Sequence, residues 1–379
     1  MKICFVFGTR PEAIKLAPLI LKLKRERSFL TTVCVTSQHR HLLDQVLDLF
    51  EIKPDIDFDL MEDDQDLTRF SSRALGQLGP FLDKTRPSLV IVHGDTTTAV
   101  MTAIAAAYKG IPIAHVEAGL RSFHFDNPFP EEINRVLIDR LADICFAPTS
   151  IAKQNLLNEG ISSKRIFVTG NTVVDSLKYI NRRLQDTKKS KKWTDFFMDR
   201  YKLNLTGKSF GKLVLITAHR RESFGKELES ICHAIHSLLE SRCDIRCVFP
   251  VHPNPNVRGT VRKILSDHEH LYLVEPLEYE PLLYLLARSA LVLTDSGGIQ
   301  EEAPSFGVPV IVMRKRTERP ELAASGMGRI VGTKKDDIVA LAMKWLDRPP
   351  KTTGKNPFGD GRACERILKI LKRKMALLG

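Results

Sequence analysis

The chain of 379 residues has little that would mark a membrane or secreted protein. No apolar run approaches the roughly 18 residues of a membrane span. Residues 1–8 are apolar but carry neither a basic leader nor a small-residue cleavage site, so they read as a first strand rather than a signal peptide. Aromatic residues make up only 7% of a chain that is 43% hydrophobic, the balance of an ordinary soluble globular protein. The seven cysteines are odd in number and scattered, and Cys243 and Cys247 are the closest pair. No paired spacing suggests zinc, so free thiols in a reducing cytoplasm are expected. His233 and His236 stand three apart with no third ligand nearby, and no metal is expected. The Gly-x-Gly-x-x-Gly fingerprint, the P-loop and Gly-x-Ser-x-Gly are all missing. A redox dinucleotide is therefore not expected, nor serine-hydrolase chemistry.

The net charge is +12 and the isoelectric point near 9.3, which raises the question of nucleic acid. The placement of the charge argues against it. Basic residues gather in 182–192, 314–316 and 362–374, which read as a linker-like stretch, a loop and a terminal helix. No aromatic residues interleave with them in a stripe. A solvated basic surface, no nucleic-acid partner and no membrane partner are expected, with an anionic small substrate accounting for part of the excess.

What the chain does have is a repeated βα rhythm. Short apolar or β-branched runs end in Gly, Asp, His or Ser, and longer amphipathic stretches follow. The strands are expected at residues 3–7, 32–36, 89–93, 113–116, 144–147 and 166–169. In the second half they fall at 213–217, 246–251, 271–274, 291–294, 308–313 and 329–331. Apolar strands alternating with helices indicate parallel sheets covered on both faces, an α/β fold. The length calls for two domains. Residues 181–212 are polar, basic and almost free of strand signal, so the junction is placed there, between domains at 1–180 and 181–360. The amphipathic terminal segment 361–379 is free to return to the first domain.

In such sheets ligands bind beyond the carboxyl ends of the strands. Nearly every expected strand here ends in a polar or charged group. The first βα turn places Gly8, Arg10 and Lys15 at a helix start opened by Pro11, which suits an anion. A second turn, at 295–302, carries Ser296, Gly297 and Gly298, where the backbone can approach a phosphate, and Glu302 one turn on, suited to ribose hydroxyls. Arg319 offers a fork for phosphate oxygens. Asp95, Glu117 and Glu131 form a set of acid–base candidates. Three carboxylates in one partly dry site disfavour one another's charge, which suits taking a proton off carbon and returning one. His219 is a partner for them, as an acid or as a cation beside a leaving diphosphate.

The segments that carry these residues, at 8–18, 93–96, 115–121, 130–135, 217–222, 250–252, 295–304 and 317–321, together resemble the non-hydrolysing UDP-N-acetylglucosamine 2-epimerases. The resemblance runs in order over most of the chain. It implies a GT-B-like fold: two Rossmann-like domains with parallel sheets facing a central cleft, and a C-terminal helix returning to the first domain. It also implies a reaction without cofactor, in which the C2 proton and UDP are lost and regained through a 2-acetamidoglucal, and a homodimer. Asp95, Glu117, Glu131 and His219 match the family's catalytic positions. Arg10, Lys15, Ser296, Gly297, Gly298, Glu302 and Arg319 match its UDP-binding positions. A GT-B glycosyltransferase using a UDP-sugar donor is the alternative. It would need an acceptor pocket and has no need of three clustered carboxylates.

Many members of that family hold a second UDP-GlcNAc beside the active site. Gln38, Arg220 and His252 match residues implied there. His41 stands where a second Gln is expected, and Glu62, Asp63 and Asp64 where the family often has an Arg. Carboxylates facing a diphosphate imply a weakened second site, unless Arg69 supplies the missing cation.

Overall fold

The structure, a computed structural model, describes residues 1–36, 40–62, 65–126, 128–206, 211–218, 220, 224–265, 268–351 and 354–378. The chain divides into two compact units, residues 1–179 with 358–379, and residues 180–357. In the first, the strands are β1 (Lys2–Phe7), β2 (Leu30–Val35), β3 (Ile56–Asp57), β4 (Leu89–His93), β5 (Ile113–Val116), β6 (Ile144–Ala147) and β7 (Ile166–Val168). They pair in parallel in the order β3-β2-β1-β4-β5-β6-β7. In the second, β8 (Lys212–Thr217), β9 (Ile245–Pro250), β10 (Leu271–Val274), β11 (Ser289–Thr294), β12 (Val310–Val312) and β13 (Gly328–Ile330) are ordered β10-β9-β8-β11-β12-β13. Each order runs outward from the unit's first strand in one direction and then the other, the Rossmann pattern.

The inner strands explain themselves by composition. In β1, Ile3 to Phe7 are all buried, as are all five residues of β4, because helices cover both faces of the sheet. The observed strand ends lie within two residues of the sequence reading. The exceptions to that reading have local causes. β3 has only two residues and follows Pro54 and Asp55, so it carries no periodic signal. β12 is shorter than expected because Pro309 has no N–H to give a ladder; its carbonyl accepts from Val292 instead.

The segment expected to be linker-like contains a helix, Thr187–Tyr201. Its Phe197 stacks on Tyr284 at 6.1 Å and its Thr194 hydroxyl bonds to the Tyr284 hydroxyl at 2.6 Å. The aromatic residues that the basic run obscured thus pack the helix into the second unit. The terminal helix, Ala363–Leu378, belongs to the first unit. Asp175 caps it, accepting from the amides of Ala363 (3.0 Å) and Cys364 (3.1 Å). It packs beside the helix Arg10–Lys24.

Candidate functional site

In a Rossmann order the chain reverses direction across the sheet between its first strand and the strand added on the other side, and the crevice opens at those strands' carboxyl ends. In the first unit these are the ends of β1 and β4. The β1 turn is held by a buried carboxylate. Glu12 accepts from the amides of Gly8 (3.1 Å) and Thr9 (2.9 Å), from the Thr9 hydroxyl (2.8 Å), and from the Thr96 hydroxyl (2.9 Å). Thr96 caps the helix after β4 through Ala99, so one carboxylate ties together the turns that present Arg10 and Asp95. Desolvation pushes Glu12 up to about 7 despite those hydrogen bonds, which pull the other way.

Glu117 follows β5 with φ of 72°, a left-handed conformation uncommon outside glycine. Such strain is retained where surrounding contacts over-determine it. Its carboxylate pairs with the ammonium of Lys15, and both side chains are more than nine-tenths buried. Asn171 donates to the same oxygen at 3.1 Å, and the His93 Nε2 lies 3.9 Å from it. Asp95 pairs with Arg135, whose Nη2 is 2.7 Å away and whose Nε donates at 2.9 Å. Arg135 also pairs with Glu132 at 2.8 Å, and Glu132 accepts from the amides of Ser122 and Phe123. Glu131 opens the helix Glu131–Leu141, four residues before Arg135. Residues four apart share a helix face, so the Arg135–Asp95 pair turns the face bearing Glu131 toward Asp95.

The second unit has its reversal at β8 and β11. Asp295 accepts from the Arg220 amide at 2.8 Å, which joins the two strand ends. The short helix Gly297–Glu302 begins immediately after Ser296. Glu302 is buried and accepts from the Tyr279 hydroxyl at 2.9 Å. Sequence reasoning expects an open fork at Arg319. The structure instead places its guanidinium under the Gly297 turn, paired with Glu301 at 2.6 Å and with Glu318. A Cβ added at Gly297 would lie 2.6 Å from the Arg319 Nη1. Glycine is required there by close approach.

Gly297→Ala is therefore expected to lower the stability of the second unit by roughly 1–3 kcal/mol, because two buried carboxylates pin the guanidinium it meets. Both tryptophans, Trp193 and Trp345, lie in this unit, so a urea titration followed by their fluorescence reads it directly. An unshifted midpoint would contradict the close packing.

His219 and Gln38 lie outside the described residues, as do Asp63, Asp64 and the side chain of His41. His252 is exposed and accepts from the Asn254 amide at 3.2 Å. Glu62 is bridged by Arg69 (3.0 Å) and Arg73 (2.8 Å). That trio carries net positive charge, so Glu62 brings no uncompensated repulsion of the kind the sequence suggested. Sequence reasoning did not single out Glu12, Glu132, Arg135 or Asn171. Arg135 was legible as the residue one helical turn from Glu131. Asn171 had no signal beyond its place after β7.

Comparison with known proteins gives one consistent result. A family model described as UDP-N-acetylglucosamine 2-epimerase matches residues 21–372. The UDP-N-acetylglucosamine 2-epimerase of Escherichia coli O157:H7 is 48% identical, with 98% of each chain covered. That of Campylobacter jejuni is 46% identical, covering 98% of this chain and 97% of its own. Among solved structures, the UDP-GlcNAc 2-epimerase from Neisseria meningitidis, bound to UDP-GlcNAc, superposes with a TM-score of 0.92 at 41% identity, covering 98% of this chain and 100% of that one. A glycosyltransferase from Rickettsia africae superposes at 0.61 with 14% identity over 98% of both chains, a likeness of fold alone.

Proposed function

The chain belongs to the UDP-N-acetylglucosamine 2-epimerase family, and from that premise we propose that it interconverts UDP-N-acetylglucosamine and UDP-N-acetylmannosamine. The observation that carries this reading to the residues is the pair of ionic contacts at the ends of β4 and β5, Arg135–Asp95 and Lys15–Glu117. They present carboxylates beside fixed cations, as proton transfer next to a departing diphosphate requires.

The proposed chemistry is an elimination and its reverse. A carboxylate among Asp95, Glu117 and Glu131 takes the proton from C2. The C2–H electron pair becomes the C1–C2 double bond as the C1–O bond breaks, and UDP leaves with that bond's electrons. In the second half a UDP oxygen re-forms the bond to C1 while C2 takes a proton on its opposite face. Oxidation state returns to its starting value without an external hydride carrier. In the first unit Lys15 and Arg10, at the first helix start, suit a phosphate-type anion, and in the second unit the amides after Ser296 suit one as well. Glu302 suits the ribose hydroxyls. Arg319 would act through the turn it underlies. His219 is assigned beside the leaving UDP by motif position, and a homodimer by the same resemblance.

Product formed in D2O is expected to carry deuterium at C2. Incubating UDP-GlcNAc with the protein alone and following the sugar C2 position by NMR reads this. UDP-ManNAc without solvent deuterium would sink the scheme. Loss of UDP only when an acceptor sugar is added would point to the glycosyltransferase alternative, against which the three carboxylates and the family membership already weigh.

A further inference from the structure

We infer that Asp139 is a positioning residue that sets Asp95 and Glu117 together, through a buried histidine cation; the functional part of this rests on the epimerase reading. Asp139 lies on the buried face of the helix Glu131–Leu141, and its side chain is fully buried. One oxygen is 2.6 Å from the His115 Nδ1. The other accepts from the Gly119 amide at 3.1 Å and from the Arg121 Nη2 at 2.7 Å. The second ring nitrogen of His115, Nε2, is 2.8 Å from the Gly94 carbonyl oxygen.

Hydrogen-bond roles decide the state of this histidine. A carbonyl oxygen can only accept, so Nε2 carries a proton. A carboxylate that also takes Gly119 and Arg121 accepts from Nδ1 as well. Both nitrogens therefore donate, and His115 is an imidazolium with no exposure to solvent. Burial alone would raise Asp139, but the His115 cation first, and Arg121 after it, hold it below the usual carboxylate range. Arg121 is balanced in turn by Glu159, in a two-pronged contact through Nε (2.6 Å) and Nη2 (2.7 Å). Two cations and two anions close on themselves, which is the condition for keeping charge buried.

The network ends on the backbone of the candidate site. Gly94 is the residue before Asp95, and its own amide donates to the Val116 carbonyl at 3.0 Å, immediately before Glu117. Gly119 lies two residues beyond Glu117. Its φ of 85° and a prospective Cβ only 2.3 Å from the Ala152 oxygen fix that turn tightly. Asp139 thus holds the β4 end through His115 and the β5 end directly. The side chains of His115, Asp139 and Arg121 are all buried.

The test is Asp139→Asn, which keeps the shape and removes the charge. We expect kcat to fall by about 100-fold, the scale of a slight misplacement of reacting groups, with KM and UDP affinity essentially unchanged. His115→Gln keeps a donor for Gly94 but loses the link to Asp139, and should give the same split. The double variant should lose no more than Asp139→Asn alone, since His115 acts through Asp139. Multiplying losses, an unaffected kcat, or equal losses in kcat and UDP affinity would each overturn the proposal. Histidine-selective 15N NMR supplies a readout independent of turnover: both ring nitrogens of His115 should carry hydrogen in the parent protein and not in Asp139→Asn. A neutral ring in the parent would overturn the linkage. A parent protein with the imidazolium but no epimerisation would overturn the functional reading instead.

Discussion

Glu117→Gln should lower kcat for UDP-GlcNAc epimerisation by about 10²–10⁴-fold, the usual contribution of a positioned acid–base group, while UDP binds at least as tightly as before. The two halves of this expectation have different causes. The loss of rate would follow from removing one of the carboxylates proposed to move the C2 proton. The retained affinity follows from Lys15, which is 8% exposed at its side chain and paired with Glu117. Gln removes the negative charge beside the lysine and leaves the lysine's own charge in place, so its attraction for an incoming diphosphate is kept or strengthened. Asp95→Asn should cost a similar factor, but by another route, since Arg135 keeps Glu132 as a partner when Asp95 is neutralised. Initial rates by NMR and UDP titration calorimetry measure both halves. Turnover within roughly tenfold of the parent would remove Glu117 from the proton chemistry, and weakened UDP binding would contradict the role assigned to Lys15.

The candidate-site residues that were legible in the sequence are those that stand at strand ends. Asp95, Glu117 and Ser296 each stand just beyond an apolar run, and the parallel topology puts such residues at the crevice. The sheets were legible for the same reason: strands buried on both faces are apolar without alternation. What was not legible is what the strand ends rest on. Asp139 and Arg121 are charged residues in the interior, and a pattern that sorts charge to the surface assigns them there. Their burial depends on partners 18 to 38 residues away in sequence, which only the fold brings together. Arg319 shows the converse. Its sequence context reads as an open phosphate fork, yet Glu301 and Glu318, also unremarkable in the sequence, already engage it. The helix Thr187–Tyr201 was hidden by its four lysines, which mark a solvated face, while Trp193 and Phe197 mark the packed one.

Glu12 should make the first unit less stable as pH rises, the opposite of what most carboxylates do. Its folded value is about 7 against an ordinary 4.5, because desolvation outweighs four hydrogen bonds. Between those values the folded chain holds a proton that the unfolded chain has lost. Stability then falls with rising pH, starting near 4.5 and levelling off once the folded group has also ionised, above about 7. With about 1.4 kcal/mol for each pH unit of separation, the full loss is roughly 3 kcal/mol. Glu12→Gln removes the titration and keeps the shape. Its carbonyl oxygen can take over the bonds from Gly8 and Thr9, and its amide can donate to the Thr96 hydroxyl. The variant should therefore match the parent at pH 4.5 and exceed it by roughly 3 kcal/mol at pH 8. Both tryptophans lie in the other unit, so the probe must be local. Hydrogen exchange of β1 and the helix Arg10–Lys24, corrected for the intrinsic pH dependence of exchange, reports the opening free energy of this region. A gap between variant and parent that stays constant from pH 4.5 to 8 would mean that Glu12 ionises alike in both states. The hydrogen bonds from Gly8, Thr9 and Thr96 would then suffice to hold the buried charge.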